Sequence, residues 1–132
     1  MKQNKELTRG ELQVMTILWE RQHATVSEVL EVMDEPRPAY NTVLTFLRIL
    51  TEKGFVGYEE QGRQHRYHPL VQKGEYTRLY LRDVKERLFK GSAKSFISFF
   101  AEEEDLSVSE VDELISMLEC LKSNEQKGEA PL

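Results

Sequence analysis

The chain has 132 residues, of which 39% are apolar and 31% charged, and its net charge is −5. That length gives one ordinary domain or two very small ones, and the balance excludes wholesale disorder. No apolar run approaches the roughly 18 residues of a membrane span, and the polar start Met-Lys-Gln-Asn-Lys is no signal peptide, so a cytoplasmic protein is expected. Cys120 is the single cysteine, which excludes an intramolecular disulfide and a multi-cysteine metal site within one chain.

Leu7-Thr8-Arg9-Gly10-Glu11-Leu12 predicts a helix start: Thr8 caps, Glu11 reaches back and Leu7 staples to Leu12. The helix then places Leu12, Met15, Leu18 and Trp19 inward until about Gln22. A second capping box, Thr25-Val26-Ser27-Glu28, opens a short helix with Val26, Val29, Leu30 and Met33 inward. Pro36 and Pro38 end it, because each disfavours helix at the residue before it. A third helix runs to Lys53 and is stopped by Gly54, with Val43, Phe46, Leu47 and Leu50 on its inner face.

The outer face of this third helix is unusual. Asn41, Thr45, Arg48 and Glu52 fall at i, i+4, i+7 and i+11 and form one continuous stripe. Solvent faces favour Lys and Glu; a stripe opening with Asn and Thr suits base edges, since Asn pairs bidentately with adenine and Thr offers its methyl to thymine. Phe55 to Glu60 and Gln64 to Leu70 then flank Gln61-Gly62-Arg63 and predict a hairpin, with Pro69 confined to an edge or a strand's last residue. Three helices and a hairpin give the order of a winged helix, whose second helix-turn-helix element enters the major groove. Arg63 at the hairpin tip, with His65 and Arg66 beside it, adds positive charge.

The charge balance follows the same division. From Pro36 to Leu70 five basic residues face three acidic ones, and from Lys73 to Lys94 seven face three, whereas Glu102 to Glu119 holds eight acids and no base. The middle of the chain can meet phosphate despite the net negative charge.

Beyond residue 71 the pattern is helical again. Tyr76, Tyr80, Leu81, Val84 and Leu88 recur before Gly91; Ala93, Phe96, Ile97 and Phe100 follow; and a capping box at Ser107-Val108-Ser109-Glu110 opens a last helix carrying Val111, Leu114, Ile115, Leu118 and Leu121. Three short helices cannot hide these stripes and six aromatic rings in one thin layer, so a second copy of the same region is expected to cover them. The expected architecture is mainly α: a winged helix-turn-helix DNA-binding domain over residues 1–71, a small helical dimerisation domain over 72–123, and a polar, frayed tail over 124–132.

The segments "LTRGELQVMTILWE", "NTVLTFLRILTEKGFV", "GRQHRYHPLV" and "FAEEEDLSVSEVDELISML" resemble the penicillinase-repressor family of bacterial transcription regulators (the BlaI, MecI and CopY type) over nearly the whole chain. The resemblance implies a homodimeric repressor, bound to a double-stranded operator and commonly released when a membrane-bound sensor protease cuts it. Carried over by position, the family's base-reading residues fall on Asn41, Leu44 and Thr45; Leu44 departs from relatives with a basic residue there. Ala39, at the N-cap, is a poor cap, which leaves the first-turn amides open to a phosphate. The DNA-contacting candidates are then Tyr40, Asn41, Leu44, Thr45, Arg48, Arg63 and Arg66, and the dimerisation candidates Tyr80, Val84, Leu88, Phe96, Ile97, Phe100, Val111, Leu114, Ile115 and Leu118. The family's cleavage point, often Asn-Phe, aligns with Phe99-Phe100, between the helix ending near Phe100 and the one capped by Ser107.

Four other readings fit parts of the sequence less well. For an enzyme, His65 and His68 fall on opposite strand faces, His23 lies in a turn, and no glycine-rich phosphate loop is present. For a metal sensor, Cys120 stands alone and reads better as a small residue at a dimer seam. A ligand-sensing winged helix would use the aromatic residues as a pocket, and a protein–protein module would bind DNA weakly with little salt dependence. The expectation is no catalysis, no metal, no cofactor and no small-molecule substrate.

Overall fold

The computed structural model describes residues 6–126. Its elements are α1 (Arg9–Arg21), α2 (Val26–Glu31), α3 (Tyr40–Glu52), β1 (Val56–Gln61), β2 (Gln64–Pro69), α4 (Lys73–Phe89), α5 (Ala93–Glu104) and α6 (Val108–Gln126). The chain divides into two units, Met1–Asp83 and Val84–Leu132, the boundary falling inside α4.

Local sequence sets most helix starts. Thr8 accepts the Glu11 amide while Glu11 accepts the Thr8 amide, and Thr25 with Glu28 repeats the exchange at α2. At α6 the Ser107 and Glu110 side chains accept each other's amides at 3.1 and 2.9 Å. Each such cap contributes about 1 kcal/mol. Gly54, at φ +84, ends α3 in a conformation that strains any residue with a Cβ. The Phe55 amide then turns back to the Leu50 carbonyl at 2.9 Å.

The first unit closes around Val14, Met15, Leu18, Val29, Val43, Leu47, Leu50, Phe55 and Val56, all essentially inaccessible. Burial of each such aliphatic side chain is worth about 1.5–3 kcal/mol. β1 and β2 pair antiparallel, with Gln61 opposite Gln64, leaving Gly62-Arg63 as a two-residue turn. Gly62 has φ +62 at the first turn position, where a type II′ hairpin calls for glycine. Ala24 joins as a one-residue third strand, exchanging hydrogen bonds with Tyr67 at 2.9 and 2.8 Å. Tyr76 of α4 completes this core. Its ring lies 5.9 Å from Trp19 and 5.8 Å from Phe55, its hydroxyl accepts the Leu7 amide, and the Trp19 indole donates to the Val71 carbonyl at 2.8 Å. A mostly helical chain with one small antiparallel sheet, in this order, is a winged helix.

Three features depart from the sequence expectations. Leu12 is exposed, and the inward position one residue earlier belongs to Glu11. The buried phase of α1 is Glu11, Val14, Met15, Leu18, and a carboxylate fits there because Lys53 Nζ reaches it at 2.7 Å. The helix expected to end near Phe100 runs on to Glu104, since Ala101 and the three glutamates are good helix formers, and ends with Asp105 in the left-handed region. Asn124 to Gln126, expected in the polar tail, continue α6; residues 127–132 lie outside the described residues.

Candidate nucleic-acid interface

Ala39 caps α3 with backbone alone, making no side-chain hydrogen bond to the first turn. Past it, Tyr40, Asn41, Thr45 and Arg48 are exposed, while Val43, Leu47 and Leu50 on the opposite face are buried. Core packing therefore fixes the rotation of the helix and leaves the Asn41–Thr45–Arg48 stripe with no structural task. The Thr45 hydroxyl donates to the Asn41 carbonyl at 2.9 Å. Its proton is thus spent within the helix, and what it presents outward is a methyl group and an oxygen that accepts. Leu44 is half-buried and packs against the core, so only part of it is available to a groove.

The wing continues this surface. Arg63 is exposed in the Gly62-Arg63 turn. The His65 ring stacks on Tyr58 at 4.1 Å and 10°, and Tyr67 packs beside both. Burial raises the Tyr67 phenol above its ordinary value, Tyr58 and Tyr40 add to the rise, and Arg48 opposes it. Side chains of α3 and of the wing are thus within electrostatic reach of one another around Tyr67.

Arg66, grouped by sequence with the phosphate contacts, has another task. Its Nη1 donates to Glu28 Oε1 at 3.1 Å and meets His23 Nδ1 at 2.9 Å, and its Nε donates to Gln61 Oε1 at 3.1 Å. An open polar depression of about 500 Å³ between the wing and the α1–α2 turn is lined by Arg66, His23 and Gln61 with Gln22, Glu59 and His68. Sequence reasoning missed the Arg66–Glu28 and Lys53–Glu11 pairs; the only trace of either was that Glu28 and Glu11 already stood in capping boxes.

In the second unit none of the described residues is buried. Val84, Phe96 and Leu114 are half-buried, whereas Leu88, Ile97, Phe100, Val111, Ile115 and Leu118 are exposed, Leu88 by 73%. Phe89 gathers Phe96 and Phe99 at 5.2 and 5.8 Å. Tyr80 belongs to the first unit, stacked on Tyr76 at 5.8 Å with one face open. Cys120 is exposed on α6. The pair Phe99-Phe100 lies in the middle of α5 rather than in a linker.

A helix presenting Asn, Thr and Arg outward, held by a three-helix core and flanked by a two-stranded wing, defines a DNA-binding winged-helix protein. The family model for the penicillinase repressor matches residues 7–120, and the chain belongs to that family. The methicillin resistance regulatory protein MecI of Mammaliicoccus sciuri is 27% identical over 114 residues, covering 86% of this chain and 93% of the relative. The penicillinase repressor of Bacillus licheniformis is 26% identical over 128 residues, covering 96% and 100%. The solution structure of the DNA-binding domain of the repressor BlaI matches 58% of this chain and 94% of its own, at 26% identity and a TM-score of 0.50. No helix among the described residues is long and apolar enough to cross a membrane.

Proposed function

We propose that this protein, a DNA-binding transcriptional repressor, acts as a homodimer on a pseudo-palindromic operator in the cytoplasm and is released by proteolysis of its C-terminal region. The observation that carries the DNA-reading part is the Asn41–Thr45–Arg48 stripe, exposed on a helix whose other face is locked in the core. Asn41 and the Thr45 methyl read base edges; Tyr40, Arg48 and Arg63 meet the sugar–phosphate backbone, with the uncapped amides of α3 beside them. The exposed apolar faces of α4 to α6 support pairing with a second copy, and two-fold pairing matches two half-sites about one helical turn, or a near multiple, apart. A dimer gains its second half-site at high effective concentration, worth about 10²–10⁴ in affinity. A membrane-bound sensor protease cutting at Phe99-Phe100 would detach α6 and forfeit that gain without touching α3.

Selection from a randomised duplex pool, followed by gel-shift titration at several salt concentrations, tests the reading. Wild type should recover a two-fold symmetric site; Asn41→Ala should relax one position in each half, at a cost of about 1–3 kcal/mol there. Arg48→Ala and Arg63→Ala should each flatten the salt dependence by about 0.9 in log–log slope. An unchanged logo for Asn41→Ala would overturn the base-reading role. A chain truncated after Phe99 that stayed dimeric and held the site as tightly would overturn the release mechanism.

A further inference from the structure

The side chain of Arg66 spans three parts of the first unit. Gln61, its partner at Nε, ends β1 beside the wing turn; His23 lies in the turn after α1; Glu28 belongs to the first turn of α2. Glu28 Oε1 accepts twice, from Arg66 at 3.1 Å and from the Thr25 amide at 3.0 Å. The same carboxylate therefore caps the first helix of the helix-turn-helix and anchors the wing. Among the described residues, backbone hydrogen bonds join that region to β2 at the Ala24–Tyr67 bridge, next to Arg66 in sequence. The base of the wing is held by the burial of Val56 and Tyr67, and a planar guanidinium with three acceptors adds a second fixed point that sets the wing's angle.

We propose that Arg66 is a positioning residue: through Glu28, His23 and Gln61 it sets the wing's angle to the helix-turn-helix, and thereby where Arg63 meets DNA, instead of contacting phosphate itself. This inference rests on the DNA-binding reading above. It makes an acidic residue a helper of DNA binding. Removing a negative charge from a DNA-binding face ordinarily strengthens binding. Here the loss of the Glu28 charge weakens it, because the wing loses its anchor.

The test uses the full chain and a duplex recovered by wild-type selection. Glu28→Gln keeps the capping box, which glutamine also satisfies, and should bind about three- to tenfold more weakly, in line with reducing a charge-assisted hydrogen bond to a neutral one. Arg66→Lys keeps the positive charge but replaces the planar fork with a single nitrogen, which cannot span Gln61, His23 and Glu28 together, and should bind as weakly as Arg66→Leu. Arg63→Ala, which weakens the wild-type background, should have little further effect on Arg66→Lys. Amide exchange at Ala24 and Tyr67 should quicken in both Arg66 variants, reporting the loosened wing. Tighter binding by Glu28→Gln, full retention of affinity by Arg66→Lys, or simple additivity of Arg63→Ala with Arg66→Lys would each overturn the positioning role. Those results leave DNA binding itself intact; a wild-type chain with no preference for any duplex would overturn the function reading and this inference with it.

Discussion

The two units of the chain solve the same problem differently. In the first, helices of 13, 6 and 13 residues and a hairpin of two six-residue strands bury a closed set of apolar side chains. In the second, α5 of 12 residues, α6 of 19 and the end of α4 bury none of the described residues, and Phe99, Phe100, Val111, Ile115 and Leu118 remain open. Helix length does not decide the outcome; what matters is whether an apolar stripe finds a facing layer within its own chain. The wing and Tyr76 supply that layer for the first unit. On our reading a second copy supplies it for the other.

The largest expected effect breaks the second unit alone. Ile115→Asp puts a charge on the exposed stripe of α6 and should leave a folded first unit while abolishing dimers. Ultracentrifugation would report a monomer, and operator affinity should fall by about 10²–10⁴. A variant that remained dimeric would remove the distinction drawn between the units. Leu47→Ala is its counterpart in the closed core. It should cost about 2–5 kcal/mol, lowering the melting temperature by the same amount at every protein concentration, in contrast to the concentration-dependent melting expected of α6 variants.

Lys53→Met sharpens the comparison within the first unit, whose core tolerates a carboxylate only because it is paired. Burial pushes the Glu11 carboxyl up, but hydrogen bonds and charge from Lys53, with the Thr8 amide, outweigh it and leave it below the ordinary value of 4.5. A depressed carboxyl stabilises the fold above its ordinary value and loses that contribution as pH falls through the folded one. Wild type should therefore weaken below about pH 4.5, and Lys53→Met should shed most of that acid-induced loss. Without Lys53 the burial that raises the Glu11 carboxyl is opposed by Thr8 alone, and protonation no longer costs the fold. Lys53 is partly exposed, so the loss at neutral pH should be about 1–3 kcal/mol, measurable by urea titration. The smallest effect belongs to Gly62→Ala, which strains the wing turn by about 1 kcal/mol; a modest fall in melting temperature should appear without any change in oligomeric state.

What the sequence displayed best was local. The capping boxes at Thr8, Thr25 and Ser107, the bare cap at Ala39, the glycine of the wing turn and the inner face of α3 all depend on residues within one or two turns of each other, and all stand as expected. The pairings that were not legible join residues far apart: Lys53 with Glu11 across 42 positions, Arg66 with Glu28 across 38. A charged residue near a capping box or on a hairpin looks the same in sequence whether it faces solvent, a phosphate or a buried partner. The stripe of α3 was legible for the converse reason, since nothing in the fold competes for it. Helix ends with no glycine or proline directly after them, as at Glu104 and Gln126, were read too short because good helix formers leave no stop signal.

The position of Phe99-Phe100 inside α5 has a kinetic consequence. Proteases take their substrates as extended segments, and a bond four residues or more from either helix end becomes extended only when the helix opens. If cleavage is slow beside reclosing, its rate follows the equilibrium population of the opened form. Anything that binds the closed form lowers that population by mass action, and a second copy laid over α5 and α6 would do so in proportion to its own affinity. Susceptibility would then report assembly: newly made, unpaired chains would be cut quickly, and paired chains only as fast as they breathe.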